Sequence, residues 1–234
     1  MKEKATLVIL NYNEIEGLKA LFDKIPIKDF DEVFAVDPGS TDGSVEFLKS
    51  KGIPVIHQDI RGRGEAFRIA VRNARNENVI FFSPDGNENP YDLPKLVYWL
   101  KDGYDMVIAS RFMVGGRADD SDIPFPIRGI GNKVFTEIAN ILWHGYLTDS
   151  INGFRAVKKN KFFELNPDAH GFGIEYQMSI RALKLRHRIK EIPTFEGDRI
   201  GGKSTAHTFR TGWLFLKLVL RELWIGKKFQ QKSL

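Results

Sequence analysis

Two short segments of the sequence combine carboxylates, amides and glycines in patterns that could bind a phosphorylated ligand. In the first, Val36 to Ser44 (VDPGSTDGS), glycines let backbone amides approach a ligand closely, and Thr41 or Asp42 could cap a following helix. The same residues could equally form only a tight turn between a strand and a helix. The chain has no G-x-G-x-x-G fingerprint, which disfavours a dinucleotide-dependent enzyme.

The second segment, Phe82 to Pro90 (FSPDGNENP), could hold a metal ion. Asp85 and Asn87 can both present oxygen to one hard cation, and such oxygens suit Mg²⁺ or Mn²⁺ rather than zinc. A cation held there would bridge a diphosphate and offset the charge that develops as a nucleoside diphosphate leaves. Asp, Gly, Asn and Pro also form ordinary turns, and that alternative stays open.

Both segments are predicted to lie at the carboxyl ends of buried strands. Apolar, β-branched runs predict strands at residues 5–10, 32–36, 55–57, 79–83, 106–110 and 189–192. Apolar periodicity predicts helices at residues 16–24, 44–51, 65–74, 91–101, 127–143 and 174–185. This alternation predicts an α/β fold with a Rossmann-like, mainly parallel sheet covered by helices on both faces. Ligands bind beyond the carboxyl ends of such strands, here at Asn11 to Glu14, Asp37 to Asp42, Ser83 to Asn87 and after Arg111.

Composition limits the classes of function. The chain has 234 residues, 42% of them hydrophobic and 28% charged, which is typical of a globular protein of one or two domains. It has no cysteine, which excludes a disulfide scaffold and a cysteine nucleophile and fits an intracellular protein. No apolar run is long enough to span a membrane, so we expect a soluble or surface-bound protein. The net charge of +5 suits a phosphate-bearing ligand or an anionic membrane. Nucleic acid is a weaker candidate as a partner, because the sequence has no RNA-binding signature.

Taken in order, the segments of the chain resemble the family 2 glycosyltransferases of the GT-A fold. The resemblance is closest to the branch that includes dolichol-phosphate mannose and polyprenyl-phosphate sugar synthases, and it covers residues 5 to 205. The matching segments are LVILNYNEIEGL, VDPGSTDGS, GRGEAFRIAVRNA, FFSPDGNENP, IASRF, TDSINGFRAVKK and DRIGGKS. The resemblance implies a nucleoside diphosphate sugar as donor and Mg²⁺ or Mn²⁺ as cofactor.

The resemblance also assigns residues to the donor site. Tyr12 and Glu14 match nucleoside contacts, and Asp37 matches a base or ribose contact of the family's V-D-D-G-S-x-D-G-T segment. Ser83 and Pro84 fall in the family's D-x-D-containing loop, and the resemblance assigns them to the same donor site.

The chain departs from the family pattern at two positions. Pro38 replaces the second Asp of the D-D-G-S segment and has neither a carboxylate nor a backbone N–H, so Asp37 is left to make the nucleoside contact alone. Ser83 replaces the first Asp of the D-x-D pattern, which leaves Asp85 as the single carboxylate and Asn87 as a neutral helper. We therefore expect a metal that arrives together with the nucleotide, because a less negative site binds a cation more weakly.

Phosphate and acceptor chemistry is assigned to three arginines and one carboxylate. Arg111, Arg128 and Arg199 match positions that face donor or acceptor phosphate, and guanidinium binds phosphate bidentately. With a hydroxyl acceptor a general base is required, and Asp149 is then the first choice. A lipid phosphate is already anionic and needs no base, in which case Asp149 could orient Arg155 or cap a turn. Asp85, Asp149 and Arg111 are the predicted catalytic residues.

The segment Trp213 to Ile225 (WLFLKLVLRELWI) predicts an amphipathic helix. Lys217 and Arg221 are four residues apart and share one face of it, and tryptophans stand near both ends, as in helices that lie on membranes. Packing against the catalytic domain or a dimer interface is the alternative. We expect residues 1–207 to form a catalytic domain and residues 208–234 to form this appended helix.

The sequence therefore favours an inverting, metal-assisted transfer of a hexose from a UDP- or GDP-sugar to a polyprenyl or dolichyl phosphate. The expected location is the cytoplasmic face of a membrane, in cell-envelope biogenesis. Two alternatives remain: a glycan hydroxyl as the acceptor, or a module that binds nucleotide or glycan without turnover because Pro38 and Ser83 have disabled it.

Overall fold

The computed structural model describes residues 3–118, 127–201 and 208–232. Within these ranges seven strands form one sheet in the order β3-β2-β1-β4-β6-β5-β7. The strands are β1 (Glu3–Leu10), β2 (Phe30–Asp37), β3 (Val55–His57), β4 (Asn78–Phe82), β5 (Met106–Ser110), β6 (Arg155–Lys158) and β7 (Ile189–Pro193). Strand β6 is antiparallel to its neighbours β4 and β5, and the other pairs are parallel. The expected mainly parallel sheet is confirmed.

Eight α-helices accompany the strands in the described part of the chain. They are α1 (Ile15–Leu21), α2 (Ser44–Ser50), α3 (Arg63–Asn73), α4 (Leu93–Lys101), α5 (Ile127–Trp143), α6 (Lys159–Leu165), α7 (Gly173–Lys184) and α8 (Thr208–Ile225). Helix α4 illustrates how the sequence specifies them. It has proline in its first turn, where no backbone N–H is needed, and Leu93, Leu96, Val97 and Leu100 form its buried face at helical spacing.

Strand β4 shows that both faces of the sheet are covered. Val79 and Phe81 point to the side that packs against α3 and α7, where the rings of Phe67 and Phe81 stack with centroids 4.0 Å apart. Ile80 and Phe82 point to the opposite side and pack with the apolar face of α4. Because side chains alternate along a strand, a strand buried on both faces is a continuous apolar run, as observed here.

Strand β6 and helix α6 do not appear in the sequence pattern. Strand β6 has only four residues and opens with Arg155, which is fully buried. The Arg155 guanidinium donates hydrogen bonds to the carbonyl oxygens of Ser150, Asn152 and Glu175. Burial lowers the pKa of Arg155 to about 10, against the attraction of nearby carboxylates. Strands are recognised in a sequence by runs of apolar residues, and arginine is rarely buried. A four-residue strand that begins with arginine therefore gives no such signal.

Helix α8 packs against α7 through a buried ionic cluster. Glu222 is 0% exposed, and its carboxylate accepts hydrogen bonds from Arg181 at 2.8 Å, Lys184 at 2.7 Å and Gln177 at 2.9 Å. Burial alone would raise the pKa of Glu222, but the bonds from Arg181 and Lys184 outweigh it and leave the pKa below its usual value. No described helix combines the length and apolar character that crossing a bilayer requires. The predicted boundary at residue 207 stays a prediction.

Candidate active site

The loops that follow β1 and β2 are held together by the carboxylate of Asp37. Its Oδ1 accepts the backbone N–H groups of Gly39 and Ser40, both at 2.7 Å, and its Oδ2 accepts Asn11 Nδ2 at 2.6 Å and the Ser40 hydroxyl at 2.5 Å. Gly39 has a φ of 94°, which favours glycine at this turn. Asp37 is 1% exposed, and these bonds fill its acceptor sites. Its nucleoside contact stays a prediction and would require one of these bonds to be exchanged.

Tyr12 lies in the loop after β1 with 38% of its surface exposed. The Arg61 guanidinium covers one side of it, 5.2 Å from the ring centroid, and donates to the Tyr12 hydroxyl at 3.1 Å. An exposed ring at the carboxyl end of a central strand can stack on a flat base, and the nucleoside contact of Tyr12 stays a prediction.

Ser83 and Pro84 shape the loop after β4. Pro84 is buried, and its carbonyl oxygen lies only 1.9 Å from where a Cβ on Gly17 would be, so α1 can approach the loop only through a glycine. The Ser83 N–H donates to Glu88 Oε2 at 2.7 Å, and its hydroxyl accepts from Arg63 at 3.2 Å. The assignment of Ser83 and Pro84 to the donor site stays a prediction.

Arg199 bridges two carboxylates that come from different loops. Its Nη1 donates to Asp85 Oδ2 at 2.9 Å, and its Nη2 donates to Glu14 Oε1. Burial raises the pKa of Glu14 to about 7, while the positive charge of Arg199 opposes that rise. Within the described residues, Glu14 Oε2 and Arg199 Nε are buried without a hydrogen-bond partner. Glu14, predicted to contact the nucleoside, and Asp85, predicted to bind metal, are thus both in direct contact with Arg199, which is predicted to bind phosphate.

The residues predicted to bind metal fit a cation that takes most of its oxygens from a diphosphate. Asp85 Oδ1 already accepts the Asn87 N–H at 3.1 Å, and Asn87 Nδ2 donates to the carbonyl of Gly197 at 2.8 Å. Across residues 3–118, 127–201 and 208–232, no three His, Asp or Glu side chains converge closely enough to hold a metal by themselves. Oxygen donors of this type suit Mg²⁺ or Mn²⁺, and Asp85 with the Asn87 amide oxygen would hold it beside the nucleotide.

Asp149 holds Arg111 and does not face the cleft. Its two oxygens accept Arg111 Nε at 2.7 Å and Nη2 at 3.0 Å, and Asp149 Oδ1 also caps a turn by accepting the Asn152 N–H at 3.2 Å. Asp149 is 0% exposed. Burial would lower the pKa of Arg111, but the Asp149 carboxylate outweighs it and raises that pKa. The predicted role of Asp149 as general base stays a prediction, and it would require Arg111 to give up one of these oxygens to a substrate proton. Arg155, which the sequence analysis suggests as a partner of Asp149, donates hydrogen bonds to backbone carbonyl oxygens instead.

An open cleft collects most of the charged groups of the site. Of the predicted residues, it is lined by Ser83, Asp85, Asn87, Arg111 and Arg128. Arg128 lies in the first turn of α5 and is half-buried. The lining also includes apolar side chains from α5, α8 and the loops before β6 and α7, namely Phe135, Phe215, Ile151 and Phe172. The cleft thus combines charged groups suited to phosphates with apolar surface.

The charged cleft residues that the sequence analysis does not assign include Arg63, Glu88 and Glu175. Arg63 forms an ion pair with Glu175, and its Nη2 lies 3.9 Å from Glu88 Oε1. Burial raises the pKa of Glu88 to about 8, although Arg63 acts against it. Arg63 and Glu88 lie in the segments GRGEA and SPDGNENP, which match motifs of the family. A charged residue inside a matched motif is a candidate site residue, and that signal could have identified both. Glu175 could have been found as a lone carboxylate on an otherwise apolar helix start.

Residues 197–204 (GDRIGGKS) also fit the spacing of the triphosphatase phosphate loop, G-x-x-x-x-G-K-S. In such a loop the backbone amides turn inward to cradle phosphates. Here the Gly197 N–H donates to the Asn87 carbonyl at 3.1 Å and the Ile200 N–H donates to the Asp85 carbonyl at 2.7 Å, so these amides bind the loop after β4. Residues 202–204 of this motif lie outside the described ranges.

A sheet of this topology with charged loops at its carboxyl edge is found in GT-A glycosyltransferases, and comparison with solved structures identifies that fold. Glucosyl-3-phosphoglycerate synthase from Mycobacterium tuberculosis, solved with Mn²⁺, UDP and glucosyl-3-phosphoglycerate, matches with a TM-score of 0.69 and 20% identity. The match covers 95% of this chain and 79% of that one. The predicted GT-A fold is confirmed.

The chain belongs to glycosyl transferase family 2, whose family model matches residues 6–165. Glycosyltransferase AglJ of Haloferax volcanii is 28% identical over 197 residues, which cover 83% of this chain. The chain spans 63% of the length of that relative. Undecaprenyl-phosphate mannosyltransferase of Micrococcus luteus is 27% identical over 213 residues, 84% of this chain and 85% of that protein. The predicted family, with polyprenyl-phosphate sugar transferases among its members, is confirmed.

Proposed function

We propose that this protein transfers a hexose from a nucleoside diphosphate sugar to a polyprenyl phosphate with inversion at the anomeric carbon. The observation that carries the choice of acceptor is the position of Asp149, which is bound to Arg111 and turned away from the cleft. An anionic phosphate oxygen can attack the anomeric carbon directly, so no base is needed. The bond from that carbon to the diphosphate breaks, and the nucleoside diphosphate leaves.

Arginines supply the electrostatics of this step. Arg111 and Arg128 line the cleft and can bind donor or acceptor phosphate, and Arg199 stands at its edge on Asp85. Mg²⁺ or Mn²⁺, bound by Asp85 and Asn87 together with the diphosphate, would offset charge on the leaving group. The UDP and Mn²⁺ in the mycobacterial structural neighbour make a UDP-sugar the first donor to test, with GDP-sugars next.

The apolar side chains of the cleft and the outer face of α8 suit a lipid acceptor at the cytoplasmic face of a membrane. Phe215 faces the cleft, whereas the opposite side of α8 exposes an apolar stripe. Trp213 and Trp224 in this stripe are 60% and 85% exposed, with Leu216, Leu220 and Leu223 between them. Lys217 lies along the stripe and would approach anionic lipid head groups, whereas Arg221 beside it is paired with Asp168.

The activity test presents vesicles that contain a polyprenyl phosphate with radiolabelled UDP- and GDP-hexoses and Mn²⁺. We expect label in the lipid fraction with one donor class, and none with vesicles that carry the matching polyprenol without phosphate. Transfer only to free glycans would establish the hydroxyl-acceptor alternative instead. Intact donor with every acceptor would favour a binding module without turnover.

Vesicle sedimentation tests the membrane surface separately. Replacing Trp213 and Trp224 with Ala should weaken binding to anionic vesicles by about tenfold for each ring, from roughly 1.5 kcal/mol of burial per side chain. Tyr98→Ala is the matched control, because Tyr98 is 63% exposed on α4, away from α8. Equal loss in the control, or no loss in the tryptophan variants, would contradict a membrane role for this face.

A further inference from the structure

Both oxygens of the Asp85 carboxylate accept a hydrogen bond from the protein. Oδ1 accepts the Asn87 N–H, and Oδ2 accepts Arg199 Nη1 at 2.9 Å. Each oxygen keeps a second lone pair, but a divalent cation at Oδ2 would lie next to the guanidinium and be repelled by it. The guanidinium is the direct competitor, because it carries positive charge at the oxygen that the cation would use.

Glu14 keeps Arg199 in that position. It binds the second terminal nitrogen of the guanidinium, and the two carboxylates together hold the planar group from two sides. Among the described residues, however, the buried Nε of Arg199 has no hydrogen-bond partner. The buried Oε2 of Glu14 has none either. A buried N–H without a partner is costly, so this arrangement leaves Arg199 able to gain a further bond elsewhere.

A diphosphate offers Arg199 what the two carboxylates do not. Its oxygens match the fork of a guanidinium and carry charge that attracts it. The Arg199 side chain is 19% exposed, so it can exchange partners without unfolding the loop. Once Arg199 turns to phosphate, Asp85 Oδ2 is released, and the diphosphate itself adds oxygens for a cation.

We propose that Arg199, held by Glu14, is a latch on Asp85 that makes metal binding depend on prior or simultaneous binding of the nucleotide diphosphate. This inference rests on the proposed nucleotide-sugar site. The latch would prevent a site with a single carboxylate from binding a cation without substrate. Glu14 is a positioning residue, because it holds the Arg199 guanidinium against Asp85.

The test measures Mn²⁺ binding by electron paramagnetic resonance, with and without UDP or GDP, in the wild type and in Arg199→Gln. In the wild type the nucleotide should tighten Mn²⁺ binding by at least about tenfold, and Mn²⁺ must tighten nucleotide binding by the same factor. In Arg199→Gln, Mn²⁺ alone should bind more tightly than in the wild type, and the coupling factor should be smaller than in the wild type but stay above one, because the diphosphate still supplies oxygens to the cation.

Two further variants separate the latch from a general change of charge. Arg61→Gln also removes one positive charge near the site, but Arg61 contacts Tyr12 and should leave the coupling unchanged. Glu14→Gln removes a negative charge, which by charge alone would weaken Mn²⁺ binding, whereas the latch predicts tighter binding of Mn²⁺ alone because Arg199 is held less firmly on Asp85. Thermal unfolding of each variant checks that it is folded.

The outcomes distinguish the latch from the function on which it rests. If the wild type binds neither nucleotide with Mn²⁺ present, the proposed function fails and the latch fails with it. If nucleotide binds but the coupling is equal in the wild type and in Arg199→Gln, the latch alone is overturned. Tight Mn²⁺ binding to the wild type without nucleotide would overturn it as well.

Discussion

Replacing Asp149 with Asn removes the charge that holds Arg111 and separates two roles for this carboxylate. In the structure, Arg111 donates to it through Nε at 2.7 Å and Nη2 at 3.0 Å, with the two side chains 9% and 0% exposed. Asn keeps one acceptor oxygen in nearly the same volume. Arg111 would then lie buried beside a neutral amide, with the Glu196 carboxylate 3.3 Å away as an ionic partner.

The structure sets the size of the expected effect. Removing one partner of a buried ion pair costs about 3–5 kcal/mol of unfolding free energy, and the lower end applies here because Glu196 remains close to Arg111. Arg111→Lys is the matched control, since it keeps the charge but loses the two-pronged bond and should cost about 1.5–3 kcal/mol. In Asp149→Asn, a displaced Arg111 should also lower the rate of transfer by roughly 10²-fold.

Urea unfolding and the pH profile of transfer to a polyprenyl phosphate measure both effects. If Asp149 only positions Arg111, the rate of Asp149→Asn should fall by the same factor at every pH, and the shape of the profile should be preserved. If the variant instead loses the acidic limb of the profile, Asp149 acts as a base and our reading of the geometry is refuted. Wild-type stability and rate together would show that Arg111 does not depend on Asp149.

Two predictions concern stability alone. Burial raises the pKa of Glu88 from 4.5 to about 8, so the folded state holds its proton more tightly than the unfolded state, and stability is lost as pH rises from below 4.5 through about 8. Glu88→Gln should therefore gain up to about 5 kcal/mol over the wild type at pH 9 and little at pH 4, and a pH-independent difference in urea unfolding would contradict this. Gly64→Ala places a Cβ 1.9 Å from the Ala169 carbonyl oxygen and should cost at least about 1–3 kcal/mol in thermal unfolding. Gly131→Ala, with no atom within 4 Å, should be neutral or stabilising, and equal losses would show that crowding is not the cause.

Most strands of the first half could be predicted because they are buried on both faces. A run such as Asn78–Phe82 needs no partner to be recognised, since its apolar residues and the turn after it are local. Strand β6 could not be predicted, because it is short, begins with the buried Arg155 and enters the sheet between two strands that precede it in sequence. Its register depends on contacts with β4 and β5 that no local pattern records.

The position of the site was predictable, but the partners of its side chains were not. The rule that ligands bind at the carboxyl ends of parallel strands brings the loops after β1, β2 and β4 together, as the structure has them. It does not say which donor binds each carboxylate. Asp37 is bound by two backbone amides of its own loop, and Asp149 is bound by Arg111, because those donors are close and buried with it.

The arginines of the site differ in how firmly they are held, and this difference divides their tasks. Arg111 is bound by a fully buried carboxylate, so the protein has oriented it before substrate arrives, as electrostatic stabilisation of a leaving diphosphate requires. Arg199 is bound by partly exposed carboxylates and can change partners. Disturbing Arg111 through Asp149 should therefore change rate and stability, whereas removing Arg199 should change the coupling of metal to nucleotide. A variant of Arg199 that lost stability without any change in that coupling would contradict this division.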